Sequence, residues 1–424
     1  MPEIAAKPRK CFRVLHTADW HLGKFLNDQS REEEHRLFLE WLLAVVNEND
    51  VDAIVLAGDV FDSANPSQSA LSLYYNFASS LHKQGACSLV IIAGNHDSAA
   101  QLESPKQVLG VINTHVVGFL AEKAEDRILF LPDTDNPQIA ITLIPFLRDR
   151  DLRIGRAGES ADEIRKQILG GIEKRYQEVS AYVEKAQLAC PVLATGHLTV
   201  LGARKSDSER EIHIGGLGST PPEIFPETFS YVALGHLHRP QAVGTEERIR
   251  YSGSPIPLSF SEAEDEKEVR IVDFANDGIS QHGLPVPKFR CLRQLRVKSA
   301  ELEVALRGFK PDSGALKTWV EVVIEDVTFQ DDLNERVKAV AEDRDFEVLK
   351  VLLERVKVEP GASAENTSDE EVLNFLDDPK TVFERLLEQR EGIQKEEAEN
   401  LKAAFAVLFE KNSQNEGEPA TIDT

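Results

Sequence analysis

The sequence predicts an α/β fold whose strands deliver polar side chains to one shared site at their carboxyl ends. Short apolar, strand-like runs alternate with amphipathic helical stretches over the first 145 residues. Five such runs along the chain end in turns rich in Gly, Asp, Asn and His: Asp19-Trp20-His21, Gly58-Asp59-Val60-Phe61-Asp62, Gly94-Asn95-His96-Asp97, Gly196-His197 and Gly235-His236-Leu237-His238. Beyond about residue 283 this grammar stops, which predicts a second, smaller unit.

In chain order, Arg13 to His16 reads as a strand. Arg31 to Asn47 reads as a helix with Leu37, Phe38, Trp41, Leu42 and Val45 on one face. Ala53 to Ala57 is a buried strand, followed by a Ser67 to Gln84 helix that Gly85 ends. Ser88 to Ala93, Ile128 to Leu131 and Ile139 to Ile144 are further strands, and a charged helix spans about Ala161 to Ala186. Pro191 to Thr195 and Tyr231 to Leu234 lead into the two late histidine turns, and Tyr251 to Phe260 and Val269 to Phe274 read as closing strands. In β-α-β units a ligand lies beyond the carboxyl ends of the strands, which is where these turns fall.

Composition narrows the function classes. The chain has 424 residues, 42% of them apolar, enough for two or three domains with cores of their own. It shows neither an apolar signal region nor a run long enough to span a bilayer, so it is expected to be cytoplasmic, with no membrane partner. Cys11, Cys87, Cys190 and Cys291 are far apart and read as reduced thiols. Net charge is −24. Residues 261–424 hold 38 acidic and 22 basic side chains, leaving −8 for the first 260, so neither part binds a polyanion by bulk charge. A polyanionic substrate then needs metal ions, a local basic patch or a partner protein.

Carboxylate, amide oxygen and imidazole without thiolate make a ligand set for Mn²⁺, Fe²⁺ or Zn²⁺. Asp19 and His21, two positions apart, point the same way on an extended backbone. The candidates Asp19, His21, Asp59, Asn95, His197, His236 and His238 are more than one four-coordinate ion needs, which implies two divalent ions with Asp59 as the natural bridge. Paired ions about 3.5–4 Å apart clamp a phosphoryl group and generate a hydroxide nucleophile at neutral pH. His35, His82, His115, His213 and His282 lack such turns and read as surface or core histidines; Asp62 and Asp97 read as groups that orient ligands, and Trp20 as a packing residue.

The five motifs resemble those of the calcineurin-like metallophosphoesterases: Asp-x-His, Gly-Asp-x-x-Asp, Gly-Asn-His-Asp/Glu, Gly-His and Gly-His-x-His, all in order between residues 16 and 240. More narrowly, His16-Thr-Ala-Asp-Trp-His-Leu-Gly, Ala57-Gly-Asp-Val-Phe-Asp, Ala194-Thr-Gly-His-Leu-Thr and Tyr251-Ser-Gly-Ser-Pro-Ile-Pro-Leu-Ser-Phe are similar to the SbcD-type nuclease subunits, bacterial relatives of the Mre-type repair nucleases. The resemblance implies a β-sandwich flanked by helices, with a small α+β capping domain and C-terminal helices. It implies that Asp19, His21, Asp59 and His238 hold one ion and Asp59, Asn95, His197 and His236 the other. His96 is then not a ligand but sits over the scissile phosphate and helps the leaving oxygen depart. The implied activity is a manganese-dependent DNA exonuclease and structure-specific (hairpin) endonuclease in DNA repair, recombination and replication. The implied partners are DNA, an SbcC-like ABC-type ATPase and a second copy of the chain, met through helices of the catalytic domain such as 67–84 and 105–112.

A protein phosphatase is the main competitor within the superfamily, but that class usually carries Arg after the second motif's last Asp, where this chain has Ser63. Cyclic-nucleotide phosphodiesterases share Gly-His-x-His and are usually shorter. A scaffold protein that kept only the fold is the alternative from another class, and the intact ligand set argues against it. No G-x-x-x-x-G-K-[ST] loop occurs, so ATP binding is not read from this chain. The expected division is 1–283 for the nuclease domain, 284–358 for a capping domain, 359–367 for a linker, 368–412 for partner-docking helices and 413–424 for a disordered tail. In the capping domain, 300–307 and 333–341 read as helices and 319–324 and 346–355 as strands.

Overall fold

The computed structural model describes residues 6–354, apart from 156–157, 205–208, 210–218, 313, 326–332 and 342–343, together with residues 401, 402 and 405. Residues Met1–Arg355 form one unit and Val356–Thr424 a second. The linker, docking helices and tail expected beyond residue 358 lie outside the described residues, save for those three positions.

The chain opens with β1 (Cys11–Thr17), a two-residue hairpin of β2 (Phe25–Leu26) and β3 (Gln29–Ser30), then α1 (Glu32–Glu48), β4 (Ala53–Ala57), α2 (Gln68–Gln84) and β5 (Ser88–Ile92). Short helices α3 (Ala99–Glu103) and α4 (Lys106–Gly110) precede β6 (Thr114–Val117), β7 (Ile128–Leu131) and β8 (Ile139–Thr142). Then come α5 (Asp149–Leu152), α6 (Ala161–Ala186), β9 (Val192–His197), β10 (Tyr231–Gly235), β11 (Gln241–Val243) and β12 (Glu246–Tyr251). The remainder is β13 (Glu268–Ala275), β14 (Gly278–Pro285), β15 (Leu292–Val297), α7 (Leu302–Gly308), β16 (Thr318–Ile324), α8 (Leu333–Ala341) and β17 (Phe346–Leu353).

Two six-stranded sheets, ordered β14-β13-β1-β4-β5-β6 and β11-β12-β10-β9-β8-β7, carry the fold. In the first, β1, β4, β5 and β6 run parallel; in the second, β12, β10, β9 and β8 do. The sheets meet through Phe12, Val14, Val55, Val90, Ile141, Leu193, Ala233 and Val272, a shared apolar layer. β1 and β4 are buried along their whole length; β4 accordingly reads as a continuous apolar run, whereas β1 also buries Arg13, His16 and Thr17. Helices α1 and α2 cover the outer face of the first sheet with Phe38, Leu42, Val45, Tyr74 and Phe77, and α6 covers the second with Ile168, Ile172, Tyr176 and Val179. Burial of each such side chain stabilises by roughly 1.5–3 kcal/mol.

Local signals set the helix ends. Three glutamates in the first turn of α1 complement its dipole, the Ser67 hydroxyl accepts from the Ala70 amide at the start of α2, and Ser160 and Glu163 cap α6 reciprocally. Arg13 on β1 lies opposite Asp273 on antiparallel β13 and makes a buried two-pronged ion pair with it, at 2.7 and 2.8 Å.

Two sequence expectations change. The Tyr251–Phe260 strand ends at Tyr251, since Pro255 and Pro257 lack the N–H a ladder needs. β14 was not legible because its residues are mostly exposed and Gly278, Gly283 and Pro285 break any strand pattern, as suits a sheet edge; it runs on to Pro285, past residue 283. A third sheet, β15-β16-β17, is parallel throughout and packs on α7 and α8 through Leu302, Leu306, Val320, Val322, Val337 and Phe346. All four cysteines are unpaired. Among the described residues no helix is long and apolar enough to cross a membrane.

Candidate metal centre

Asp19 and His21 follow β1, Asp59 follows β4, and Asn95 and His96 follow β5; in the second sheet His197 ends β9, and His236 and His238 follow β10. Thus all five turns sit at carboxyl ends of parallel strands and converge between the two sheets. Asp19 and His21 do not share a side through extended geometry. Both take left-handed backbone conformations, φ 54° and 46°, and their amides bond to the Gly58 and Asp59 carbonyls. Asp59 and His236 also have positive φ, 50° and 96°. Such conformations cost a non-glycine residue about a kcal/mol or more and persist where the surroundings over-determine them.

The contacts tie the seven predicted ligands into one cluster. Asp59 Oδ2 is 3.3 Å from His197 Nε2 and 3.6 Å from His21 Nε2. Asn95 Oδ1 lies 2.9 Å from His197 Nε2 and 3.3 Å from His236 Nδ1, and the His236 amide donates to both Asp19 carboxylate oxygens. Ligand atoms of Asp19, His21 and His238 lie mutually within 4.8 Å, as do those of Asp19, Asp59 and His197, and of His21, Asp59 and His96. At Gly94 a Cβ would stand 2.1 Å from Asp59 Oδ1, so only glycine lets the third turn approach the second.

The donor set fits a cation. His197 Nδ1 donates to the Ala57 carbonyl, so its Nε2 lone pair faces two oxygens, Asn95 Oδ1 and Asp59 Oδ2. Without a cation those lone pairs repel unless the ring is protonated: burial lowers the His197 pKa, but Asp59 and then Asp19 outweigh it and push it up to about 9. Burial likewise raises Asp19 well above the carboxylate range, with the Asp59 charge adding to it. For Asp59 burial is outweighed by His197 and His21, and its carboxyl is held low. Neither ring nitrogen of the buried His21 makes a hydrogen bond of good geometry among the described residues. Buried carboxylates beside imidazoles whose nitrogens point inward are what a divalent ion would reconcile.

Around this cluster are groups that hold it. Asp97 accepts from the Gly94, Phe61 and Val60 amides at 2.9, 3.0 and 3.2 Å, stapling the second turn to the third; burial and the Asp59 charge raise it to about 6. Asp62 Oδ1 lies 3.2 Å from His21 Nδ1 and 3.0 Å from Lys24 Nζ. His96 is half-buried; its amide donates to Asp59 Oδ1, and its Nδ1 to the Asp62 carbonyl at 2.7 Å, which turns Nε2 outward from that bond. Trp20 is fully buried against Phe38 and Phe77. His35 is a core residue, His82 and His282 are exposed, His115 is half-buried, and His213 lies outside the described residues.

Sequence reasoning missed Glu262 and Lys267. Glu262 is fully buried, with Oε1 3.2 Å from His238 Nδ1, and Lys267 Nζ donates to Glu262, the His238 carbonyl and Ser254 Oγ at 2.6, 2.9 and 3.0 Å. All three ammonium protons are therefore satisfied. Burial raises the Glu262 pKa, but His238 and Lys267 outweigh it and hold the carboxyl far below its usual range. In sequence the pair sits in the acidic run 262–268, which reads as solvated surface; burial alone reveals it.

The signature of the calcineurin-like phosphoesterases matches residues 12–240, and that described as the type 5 capsule protein repressor C-terminal domain matches residues 288–391. The chain is 39% identical over 343 residues to the SbcD component of the SbcCD nuclease of Escherichia coli (strain K12), covering 80% of this chain and 84% of that protein. It is 39% identical over 285 residues to the protein of the same name in Rhodobacter capsulatus, covering 65% and 69%. For that of Bacillus subtilis the identity is 35% over 265 residues, covering 62% and 66%.

Proposed function

The chain belongs to the calcineurin-like phosphoesterases and, within them, to the SbcD-type nuclease subunits, and from that membership we propose that it is the manganese-dependent catalytic component of a DNA-processing complex. It is a metal-dependent phosphodiesterase of the nuclease kind. Its substrate in this reading is double-stranded DNA, cut as an exonuclease and at hairpins as an endonuclease, in repair, recombination and replication in the cytoplasm. The observation that carries the reading is the convergence of all seven predicted ligands, with the Asp19 and Asp59 carboxylates facing His197 and the Asn95 amide oxygen between His197 and His236.

We assign Asp19, His21, Asp59 and His238 to one ion and Asp59, Asn95, His197 and His236 to the other. Divalent ions bound there supply Lewis acidity toward the phosphoryl oxygens and make water a nucleophile at neutral pH. The chain's own residues do the rest. Asp59 would be the ligand common to both ions; its Oδ2 faces His197 and His21, and its Oδ1 accepts from the His96 amide. His96, fixed through Nδ1 by the Asp62 carbonyl, turns Nε2 toward the substrate side and gives a proton to the departing sugar oxygen.

An SbcC-like ABC-type ATPase is the partner this reading requires, docked by the helices expected at 368–412, with residues 284–358 as the capping domain that helps select DNA. A second copy would meet the exposed Val108 and Val111 beside α4, since Leu71 and Ile112 are taken up by the chain's own core. Incubating the purified chain with end-labelled linear and hairpin DNA, with Mn²⁺, Mg²⁺ or a chelator, tests the function. Cleavage with Mn²⁺ and none with the chelator is expected; equal cleavage with the chelator would refute it.

A further inference from the structure

A chain of net charge −24 that handles DNA needs cations near its site, and the structure assembles some at one rim. Phe119 lies just past the carboxyl end of β6, one strand over from β5 and its Gly94–Asp97 turn. Phe119 is 40% exposed, and its ring carries two guanidiniums, Arg148 at 5.7 Å and Arg150 at 5.5 Å from the centroid. Both arginines belong to the segment after β8, where the Phe146 ring stands 6.4 Å from that of His197 and the Phe146 amide donates to the Ala93 carbonyl. The cluster therefore borders the metal centre on its β6 and β8 side.

The two loops that build it are fixed. Gly118 and Phe119 donate their amides to the same oxygen of Glu103, at 2.9 and 3.1 Å, and a Cβ on Gly118 would stand 2.4 Å from the Ala99 carbonyl. The Arg148 amide donates to Asp151 Oδ2, while the Arg175 guanidinium clasps the Asp151 carbonyl at 2.6 and 3.0 Å. Among the described residues no carboxylate pairs with the Arg148 guanidinium, and Arg150 has only its neighbour Asp151 at 3.9 Å. An exposed aromatic ring on a rigid loop, crowned by two cations that no buried ion pair neutralises, has the composition of a single-strand platform: a ring for a base and guanidiniums for phosphates.

We propose that Phe119, Arg148 and Arg150 seat an unpaired stretch of the DNA strand beside the metal centre. The proposal rests on the DNA reading given above. A base inside an intact duplex has no free face for Phe119, so the cluster selects frayed ends and single-stranded segments.

The test uses the full chain and a fluorescein-labelled phosphorothioate oligothymidine, beside a blunt phosphorothioate duplex, read by anisotropy. Phe119→Ala is expected to weaken the single strand by roughly 5- to 150-fold, the range of one base–aromatic stack, and the duplex by about twofold at most. Phe119→Trp should restore binding and Phe119→Leu should not, which separates stacking from apolar packing; the leucine keeps the loop filled. Arg148→Gln with Arg150→Gln should flatten the salt dependence of single-strand binding by about 1.4 in log–log slope. Wild-type affinity in Phe119→Leu and an unchanged slope in the double variant would overturn the inference and leave the DNA reading intact, and so would equal losses on both DNAs. A wild-type chain that binds neither DNA would overturn the DNA reading itself.

Discussion

His16 carries a pH dependence that can be worked out from its surroundings. It lies on β1, three residues before Asp19, and ties the two sheets together: its Nε2 donates to the Leu234 carbonyl at 3.1 Å, and the Tyr231 hydroxyl donates to its Nδ1 at 3.0 Å. Burial lowers its pKa from 6.5 to about 3, with Arg270 adding to the effect and the Leu234 carbonyl opposing it. Because the folded value is depressed, the unfolded chain binds the extra proton. Stability is whole above 6.5 and is lost as pH falls toward the folded value. At about pH 5 the unfolded imidazole is nearly all charged while the folded one is neutral, a loss of about 2 kcal/mol from His16 alone. His35, also fully buried and held at about 3, adds a similar amount. The assay is urea unfolding of the wild type and of His16→Gln, each at about pH 7 and pH 5. Gln can still donate to Leu234 and accept from Tyr231, yet never titrates, so its loss between the two pH values should be smaller by about 2 kcal/mol. Equal losses would mean that His16 is protonated in place without cost and would rule out this pH dependence.

Three further outcomes follow from the site. His96→Ala should keep both ions and its DNA affinity while turnover with Mn²⁺ falls on the order of 10²–10⁴-fold; loss of an ion together with activity would make His96 a ligand. Glu262→Gln removes the charge that orients His238 and neutralises Lys267, so affinity for one of the two ions should fall roughly 10- to 100-fold by metal titration, whereas unchanged affinity would reduce the pair to a packing role. Val108→Asp with Val111→Asp should leave a monomer in sedimentation at a concentration where the wild type is a dimer; a wild-type monomer at about tens of micromolar would remove the dimer.

The motif turns were legible because their chemistry is local. A strand that ends in Gly-Asp or Gly-Asn-His announces both its end and its donors, and β4, β7 and α6 begin and end where the sequence places them. The reason Asp19 and His21 converge was not legible, since periodicity assumes regular backbone and these residues are left-handed. Glu262 and Lys267 escaped for a different reason. A charged pair inside an acidic run looks solvated until a ring from residue 238 is placed against it, a contact 24 positions away in sequence. Phe119 and its arginines come from segments about thirty residues apart, and alternation with Asp149 and Asp151 hides the cations in any count of charge. Thr114–Val117 was missed as a strand although it places Phe119; Thr-His-Val-Val has neither the continuous apolar run that marks Ile128–Leu131 nor a clean alternation.

The proposed metal centre stands or falls on two divalent ions sharing Asp59. Metal content per chain, measured after Mn²⁺ loading and desalting for the wild type, Asp59→Ala and His21→Ala, tests it most directly. Two ions are expected in the wild type, loss of both from Asp59→Ala, and retention of one by His21→Ala. An Asp59→Ala chain that still held two ions would contradict it.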